Sequence, residues 1–216
     1  MPCYDRASMD AVHKPLLTEE EYIARERAVP TKSEFLRGEI FAMAGAKPRH
    51  NLVAANVIGA LRSLLRDRPC LVLTSDQRVY VAASGLFTYL DVVVVCDGPR
   101  FHPKHDDTLV NPTVIVEVLS SSTEAYDRGA KFALYRAIES LREYVLVTPD
   151  ATSVEHYARQ TDGSWRLTTW GTAGESVPLD ALGVAMPLAE VYAKVDSLPP
   201  DAATTPLPPR SKVLDR

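Results

Sequence analysis

The stretch that decides the fold is Leu90-Asp-Val-Val-Val-Val95, followed after a polar loop by Pro112-Thr-Val-Ile-Val-Glu-Val-Leu119. Both runs are rich in β-branched residues, which predicts two buried strands. Each strand carries one acid, Asp91 at the start of the first and Glu117 inside the second. Ionised carboxylates are rarely buried unless they are paired or hold a metal. These two acids therefore indicate a hydrolytic metal site.

A helix is predicted directly after the second strand, from Thr123 to Ile138. Asp127, Lys131 and Tyr135 are spaced four residues apart and share one face of this helix. That face has two interpretations: a solvated Asp–Lys pair, or a cation that is turned toward the acids on the strands. A lysine within reach of two buried acids adds to the case for a hydrolytic site.

The composition indicates one globular domain with appendages. The chain has 216 residues, of which 46% are hydrophobic and 24% charged, and its formal net charge is −4. No apolar run approaches the roughly 20 residues of a membrane helix, and no signal peptide is visible, so we expect a cytoplasmic protein without a membrane partner. The acidic balance excludes a protein coated in basic residues, but a local basic strip can still track phosphates.

Cysteine and histidine spacing argues against a zinc site. The number of cysteines is odd and no pair has metal-ligand spacing, so free thiols are predicted rather than disulfides. His102 and His105 stand in a polar segment, 98–108, that is predicted to be a loop. Two histidines and a neighbouring acid in such a loop favour a solvated cluster over a metal site. The cysteines are Cys3, Cys70 and Cys96.

Serine and tryptophan residues also favour structural roles. The run Ser120-Ser-Ser-Thr123 lacks the Gly-x-Ser-x-Gly pattern of a nucleophilic serine, and capping of the following helix by Ser122 or Thr123 accounts for it. Trp165 and Trp170 lie in an alternating hairpin, where packing is a more common role than base stacking.

The order of elements predicts a mixed α/β (α+β) fold: a central sheet flanked by helices, with a C-terminal antiparallel hairpin extending it. Residues 1–16 are expected to be a flexible arm, 17–196 the domain, and 197–216 a Pro-rich disordered tail. Helices are predicted from a capping box at Thr18 to about Ala28, from Pro48 to about Arg66, and within Pro187 to Val195. Strands are predicted in a hairpin turning at Arg37-Gly38, at 71–73, 77–81 and 143–147, and in a hairpin over 154–170.

The central motifs also carry a family resemblance. They are Asp91 after a loop, Val116-Glu-Val-Leu-Ser-Ser-Ser-Thr123, and Asp127-x-x-x-Lys131-x-x-x-Tyr135. Together with flanking segments, this order resembles the PD-(D/E)XK nuclease superfamily and, within it, the Uma-type restriction endonuclease family. The resemblance covers about Leu17 to Val195 and implies a restriction-endonuclease-like domain. The flanking segments are Glu34-Phe-Leu-Arg-Gly-Glu-Ile40, Met43-Ala-Gly45 with His50, Ser75-Asp-Gln-Arg-Val79 and Arg142-Glu-Tyr-Val-Leu-Val147.

The resemblance implies a site for Mg²⁺, with Mn²⁺ as an alternative ion. Asp91, Glu117 and Glu34 are the expected catalytic acids and metal ligands, together with the carbonyl of Val118. Glu34 would serve as a third carboxylate, bound to a second metal or through a water. Lys131 is the expected catalytic cation, which stabilises the negative charge of the transition state. The residues expected to bind substrate or to support the ligands are His50, Arg78, Asp127 and Tyr135.

Two positions depart from the superfamily pattern. Leu90 replaces the proline before the acid, and that proline supplies no ligand. Leu119 replaces the lysine that usually follows the Glu by two residues. The resemblance to the Uma-type family implies that the lysine comes from the following helix, as Lys131. The substitution also leaves open an inactive descendant that kept the fold.

The expected function is therefore a divalent-metal-dependent endonuclease that hydrolyses phosphodiester bonds of nucleic acid, with DNA favoured over RNA. A homodimer is one arrangement expected of such a nuclease, because two strands must be cut. The main alternative is a catalytically inactive module of the same fold that binds nucleic acid or serves in assembly. A structural partner protein, in which Glu117 is an accident of packing, is a third interpretation.

Overall fold

The computed structural model describes residues 16–43 and 45–200, and none of their helices is long and apolar enough to cross a membrane. The helical elements are α1 (Glu19–Ala28), α2 (Pro48–Leu64), α3 (Glu124–Tyr126), a π-helical segment (Asp127–Lys131), α4 (Phe132–Tyr135), α5 (Leu188–Val191) and a 3₁₀ turn (Val195–Ser197). The first strands are β1 (Ser33–Leu36), β2 (Glu39–Ala42), β3 (Cys70–Thr74), β4 (Arg78–Val81), β5 (Leu86–Tyr89), β6 (Val92–Cys96) and β7 (Phe101–His102). The others are β8 (His105–Leu109), β9 (Val114–Val118), β10 (Glu143–Thr148), β11 (Ser153–Arg159), β12 (Trp165–Trp170), β13 (Ser176–Leu179) and β14 (Val184–Pro187).

The predicted arm and tail fall mostly outside the described residues. Of the arm only residue 16 is described, and of the tail only residues 197–200. Arg49, near the start of α2, donates hydrogen bonds to the carbonyls of Leu198 and Pro199. The disorder expected for the two ends therefore stays a prediction, although the described chain continues past Ser197.

Two six-stranded sheets form the body of the protein. The first has the strand order β2-β1-β5-β4-β8-β7, and the second has the order β12-β11-β10-β9-β6-β3. Within the second sheet β9 and β10 are parallel, and the β11–β12 hairpin extends it as predicted. The mixed α/β class is thus confirmed. The predicted single central sheet is two sheets in the structure. The chain passes from the first sheet to the second within the two residues between β5 and β6, and hydrophobic periodicity does not reveal this break.

Apolar cores on both faces of the second sheet hold the layers together. Val94 and Val116 pack toward α2 and α5. Val93 and Ile115 pack toward the first sheet and the helical residues 124–135. Consecutive residues of β6 and β9 therefore contact different cores, which explains why both strands are apolar almost throughout. Because side chains alternate along a strand, Glu117 shares the face of Ile115.

Local sequence explains the first elements, and their predictions are confirmed. In the capping box of α1, Thr18 Oγ1 accepts from the Glu21 amide at 3.2 Å, and the Glu21 carboxylate accepts from the Thr18 amide at 2.8 Å. The β1–β2 hairpin turns at Arg37 and Gly38, whose φ angles are 51° and 87°, as a two-residue turn of type I′ requires. Pro48 opens α2, where its missing N–H is harmless.

The prediction of a polar loop over 98–108 is wrong. This segment contains the β7–β8 hairpin, and β8 pairs in parallel with β4. His105 is buried and its ring stacks on that of His102, with centroids 4.7 Å apart, so the expected solvated histidine cluster is wrong as well. Pairing with β4, rather than a local alternation of apolar residues, holds this strand. Sequence periodicity also failed to predict β5 and the β13–β14 hairpin.

The free thiols predicted at Cys70 and Cys96 are wrong, because these residues form a disulfide. They stand directly opposite each other on the antiparallel neighbours β3 and β6, with Cα atoms 4.0 Å apart. Their separation of 26 residues in sequence gives no hint of this pairing. Cys3 lies outside the described residues. The disulfide joins the edge strand of the second sheet to the strand that follows Asp91.

Candidate active site

Asp91 lies where the chain passes from the first sheet to the second. In the antiparallel pair of β6 and β9, Val92 stands opposite Val116, so Asp91 and Glu117 are neighbours across the ladder. The Asp91 amide donates to Glu117 Oε2 at 3.4 Å, and Asp91 Oδ2 accepts from the Val118 amide at 2.8 Å. The structure thus brings together the two acids that the sequence placed on neighbouring strands.

Lys131 reaches this junction from the helical segment after β9. Its Nζ atom lies 2.7 Å from Glu117 Oε1, 3.3 Å from Asp127 Oδ1 and 3.8 Å from Glu34 Oε1. Leu119 is buried in the apolar core on the face that Glu117 shares. The position that usually supplies the superfamily's lysine is therefore filled by an apolar side chain, and a lysine from the helix contacts the glutamate instead.

The helical segment differs from the single α-helix predicted over 123–138. It consists of α3, the π-helical segment and α4, and the π-helical segment begins at Asp127 and ends at Lys131. Such segments are rare and occur often at functional sites. The predicted capping is wrong: Thr123 occupies the cap position without a side-chain cap bond. The Ser120 hydroxyl is instead hydrogen-bonded to the hydroxyls of both Ser122 and Thr123.

Hydroxyl groups hold two of the acids in place. Thr88 Oγ1 donates to Glu34 Oε1 at 2.6 Å, and both side chains are buried. The Tyr135 hydroxyl donates to Glu117 Oε1 at 3.4 Å. Thr88 has no place in the sequence-based site, because β5 itself was not predicted. The available signal was a hydroxyl inside a short apolar run, Leu86-Phe-Thr-Tyr89.

The remaining predicted residues divide between two places. His50, in the first turn of α2, lies with its Nε2 atom 3.2 Å from Asp91 Oδ2. Arg78 belongs to another buried network, in which its guanidinium contacts Asp107, Thr108 and Tyr89. The structure therefore gathers Asp91, Glu117, Lys131, Glu34, Asp127, Tyr135 and His50 at one junction. It does not join Arg78 to them through these contacts.

Negative charge exceeds positive charge in this buried cluster. Burial raises the pKa of Glu117 to about 8; Lys131 opposes this rise, while Asp91 and Asp127 add to it. Burial favours a lower pKa for Lys131, but the facing acids, Glu117 first, outweigh burial and raise that pKa well above its ordinary value. Both directions have the same cause, because several acids are buried around one ammonium group.

The donor set fits a hard divalent cation. Asp91 and Glu117 present carboxylate oxygens, the ligands that Mg²⁺ prefers, and the excess of buried negative charge favours a cation between them. Among residues 16–43 and 45–200, no group of three or more His, Cys, Asp and Glu side chains is arranged to hold a metal. The candidate ligands are the two carboxylates that meet across the β6–β9 ladder, those of Asp91 and Glu117. Mg²⁺ accepts such a set because it retains several waters.

The cluster meets solvent at one side. The Asp91 side chain is 20% exposed and the His50 side chain 12%, whereas that of Glu117 is 5% exposed. A ligand from solvent therefore encounters Asp91 and His50 first, with Glu117 and Lys131 behind them.

Comparison with known proteins places this site in a family. A family described as Uma2, putative restriction endonuclease, matches residues 19–189. The chain belongs to the Uma2 family. The matched region contains all the residues of the candidate site, and the resemblance drawn from the sequence motifs is confirmed.

Relatives of this Uma2 protein include two uncharacterized proteins of Synechocystis sp. The protein sll1609 is 39% identical over 153 residues, which cover 71% of this chain and 86% of the relative. The protein slr1290 is 32% identical over 178 residues, which cover 82% of this chain and 92% of the relative. The crystal structure of a putative nuclease belonging to DUF820, from Anabaena variabilis, superposes on this chain with a TM-score of 0.65 at 14% sequence identity. The match covers 83% of this chain and 99% of the Anabaena chain. This likeness shows a shared fold and confirms the predicted fold class.

Proposed function

We propose that this Uma2 protein is a divalent-metal-dependent endonuclease that hydrolyses phosphodiester bonds of nucleic acid, with DNA favoured over RNA. The observation that carries the proposal is the convergence of Asp91, Glu117 and Lys131 at one junction, with Lys131 Nζ 2.7 Å from Glu117 Oε1. Asp91 stands at the solvent side of that junction. The family's description as restriction endonucleases supports the same chemistry.

Phosphodiester hydrolysis explains why such a cluster is useful. A water oxygen bonds to phosphorus, the bond to one sugar oxygen breaks, and that oxygen takes up a proton. Negative charge builds up on the phosphoryl and leaving oxygens, and fixed cations stabilise it most strongly where water is excluded. Asp91 and Glu117 would hold Mg²⁺ or Mn²⁺, assisted by the carbonyl of Val118. When bound, the ion supplies positive charge beside the phosphoryl oxygens and the attacking water.

The side chains around the two ligands have distinct proposed roles. Lys131 keeps its positive charge because buried acids face it, and it stabilises the charge that develops in the transition state. Glu34, held by Thr88, orients the ammonium group from the other side. His50 contacts Asp91 at the opening and is one of the two side chains that an entering phosphate meets there. Two copies of the chain would supply the two sites needed to cut both strands of a duplex.

Cleavage by the purified full chain tests the proposal. DNA and RNA substrates are incubated with Mg²⁺, with Mn²⁺, or with a chelator. We expect cleavage only with a divalent ion, and we expect Asp91→Asn and Glu117→Gln each to reduce it by about 10²-fold or more. Glu143→Gln is the matched control, because Glu143 is also a buried acid on a strand of the same sheet.

Two results would contradict the proposal. Binding of nucleic acid without cleavage, whichever divalent ion is present, would favour the inactive binding module. An equal loss of cleavage in Glu143→Gln would show that the acids act through the fold rather than the reaction.

A further inference from the structure

Helix α2 is an unusually basic element for this chain. It contains no aspartate or glutamate, although the chain as a whole has a formal net charge of −4. Its second half exposes Gly59, Arg62 and Ser63, and Arg66 follows two residues after the helix ends. These residues recur at helical spacing on one side. These four residues, of which two are arginines, form a short strip at the C-terminal end of α2 that we call the basic strip.

A groove separates this strip from β3, the edge strand of the second sheet. Its volume is about 570 Å³, and it is lined by the four strip residues, by Leu65 and by residues 70–73. A Cβ atom added at Gly59 would meet nothing within 4 Å, so this wall of the groove is open. On the opposite wall Cys70 and Val72 face α2, whereas Leu71, which is 47% exposed, belongs to the other face of β3. The groove can thus admit an extended chain.

The two arginines of the groove have no protein partners within the part of the chain that the structure describes. Among residues 16–43 and 45–200, neither Arg62 nor Arg66 makes a side-chain hydrogen bond or an ion pair. Other exposed arginines differ: Arg27 pairs with Asp107, and Arg128 pairs with Glu155. Arg62 lies in the last turn of α2 and Arg66 in the turn that follows the helix, and both line the groove. Two arginines that are unpaired among the described residues suit a ligand with repeated negative charges.

The groove is directed toward the candidate active site. In the β3–β6 pair, Cys70 is opposite Cys96 and Thr74 is opposite Val92, the residue after Asp91. The groove follows β3 from its disulfide end to Leu73, one residue before Thr74. The first turn of α2 lies at the Thr74 end of β3, because His50 in that turn contacts Asp91. A chain lying in the groove therefore leads to the solvent side of the acid cluster.

We propose that this groove, defined by Gly59, Arg62, Ser63, Arg66 and β3, binds the sugar–phosphate backbone of the nucleic acid and directs it to Asp91. The inference rests on the proposed function for its substrate class. The guanidinium groups contact phosphates, which carry no sequence information, so the contacts position the strand rather than select a sequence. The competing occupant is the β3 edge of a second copy of this chain.

Salt-dependent binding tests the inference without any cleavage. A short labelled DNA duplex is titrated with the full chain in a chelator, at salt concentrations of about 50 to 200 mM. We expect Arg62→Gln/Arg66→Gln to reduce the slope of log K against log [salt] by about 2, because two phosphate contacts are lost. Binding at about 0.1 M salt should weaken by about tenfold to a hundredfold.

The matched control is Arg136→Gln/Arg166→Gln, which removes the same charge near β11 and β12, at the opposite edge of the second sheet. These arginines are exposed, and the control should leave the slope unchanged. With cleavage as the readout, the groove variant should raise KM and keep kcat at saturating DNA. Exposed substitutions change the free energy of unfolding little, so both variants should fold.

The outcomes separate this inference from the proposed function. An unchanged slope in the groove variant, or equal changes in both variants, overturns the groove as a binding track even if cleavage is intact. A changed molecular mass of the groove variant in solution, with DNA binding intact, overturns it in favour of a contact between copies. If the groove variant reduces the slope but the parent chain never cleaves nucleic acid, the groove remains a binding site and the proposed nuclease function is rejected.

Discussion

The second sheet buries an acid beside a basic side chain at each of its two ends. At one end Glu117 on β9 contacts Lys131, and at the other Glu143 on β10 faces His156 on β11. β9 and β10 are parallel neighbours, and both acids are almost completely inaccessible to solvent. From sequence alone, the two glutamates look alike, because each belongs to an apolar strand. Their surroundings differ.

Glu143 has a small set of partners. Its Oε1 atom accepts from the Ala181 amide at 3.1 Å, which fixes the turn between β13 and β14, and the Nε2 atom of His156 is 3.8 Å away. Glu117, in contrast, lies within a cluster of charged groups that reaches solvent through Asp91. A buried acid by itself therefore indicates only an energetic cost. Convergence of several charges at an opening distinguishes the candidate active site.

Lys131→Met should produce the largest effect. If Lys131 stabilises charge in the transition state, kcat should fall by about 10²–10³, corresponding to about 3–4 kcal/mol, while DNA binding changes little. Removing the cation also leaves buried acids unpaired, which should lower the free energy of unfolding by about 3–5 kcal/mol. Single-turnover cleavage and DNA titration, both at low temperature, measure the two effects separately.

Lys131→Arg and His156→Gln are the controls for this comparison. The arginine keeps the charge and should retain the fold, although its planar group does not reproduce a compact ammonium. Substitution of His156, at the other end of the sheet, should leave kcat unchanged. A parallel loss of binding and cleavage in Lys131→Met would make Lys131 a residue that positions phosphate.

Loss of the disulfide should affect stability but not catalysis. Cys96 ends β6 at the end of the sheet where Glu143 lies, away from Asp91. Cross-linking residues separated by 26 positions stabilises the folded chain by about 3.5 kcal/mol, mainly by restricting the unfolded chain. Chemical denaturation of Cys70→Ser/Cys96→Ser should show this loss. Because Cys70 also lines the groove, cleavage is measured at saturating DNA, well below the melting temperature, where kcat should persist. A loss of kcat would contradict the separation of the two ends.

Divalent ions should stabilise the folded chain by binding only at the end of the second sheet where Asp91 lies. At an ion concentration of about 100 times Kd, binding to the folded state adds about 2.7 kcal/mol to the free energy of unfolding. Melting curves with and without Mg²⁺ should show a rise for the parent and for Glu143→Gln. Asp91→Asn should be more stable without the ion and should lose the response. Equal responses in parent and Asp91→Asn would place the ion elsewhere.

The sequence could identify the acids because their chemistry conflicts with their surroundings. Asp91 and Glu117 are charged residues in valine-rich runs, and the helical spacing of Asp127 and Lys131 indicated a shared face. The sequence could not identify Thr88, because it acts through a contact with Glu34, 54 residues away. Helical periodicity predicts an α-helix and does not distinguish the π-helical segment. Contacts between distant segments, such as the Cys70–Cys96 disulfide, depend on strand register.

The smallest predicted effect is a pH dependence at Glu143. Burial raises the pKa of this carboxyl to about 7, from an ordinary value of 4.5. The folded chain therefore holds the proton more tightly than the unfolded chain. The stability that this provides is complete below a pH of about 4.5 and is lost as the pH rises to about 7. Above that pH, the ionised carboxylate is buried with little compensation.

Glu143→Gln cannot ionise, so it should avoid this loss. Relative to the parent, its free energy of unfolding should increase between pH values of about 5 and 7 and then remain constant, with a total gain of about 1–3 kcal/mol. Burial lowers the pKa of His156, which opposes the trend, but His156 is present in both proteins and its contribution largely cancels in the difference. Urea denaturation across this pH range measures the difference. A difference that does not vary with pH would mean that Glu143 is already ionised in the fold, and that the Ala181 amide and His156 compensate its charge better than burial opposes it.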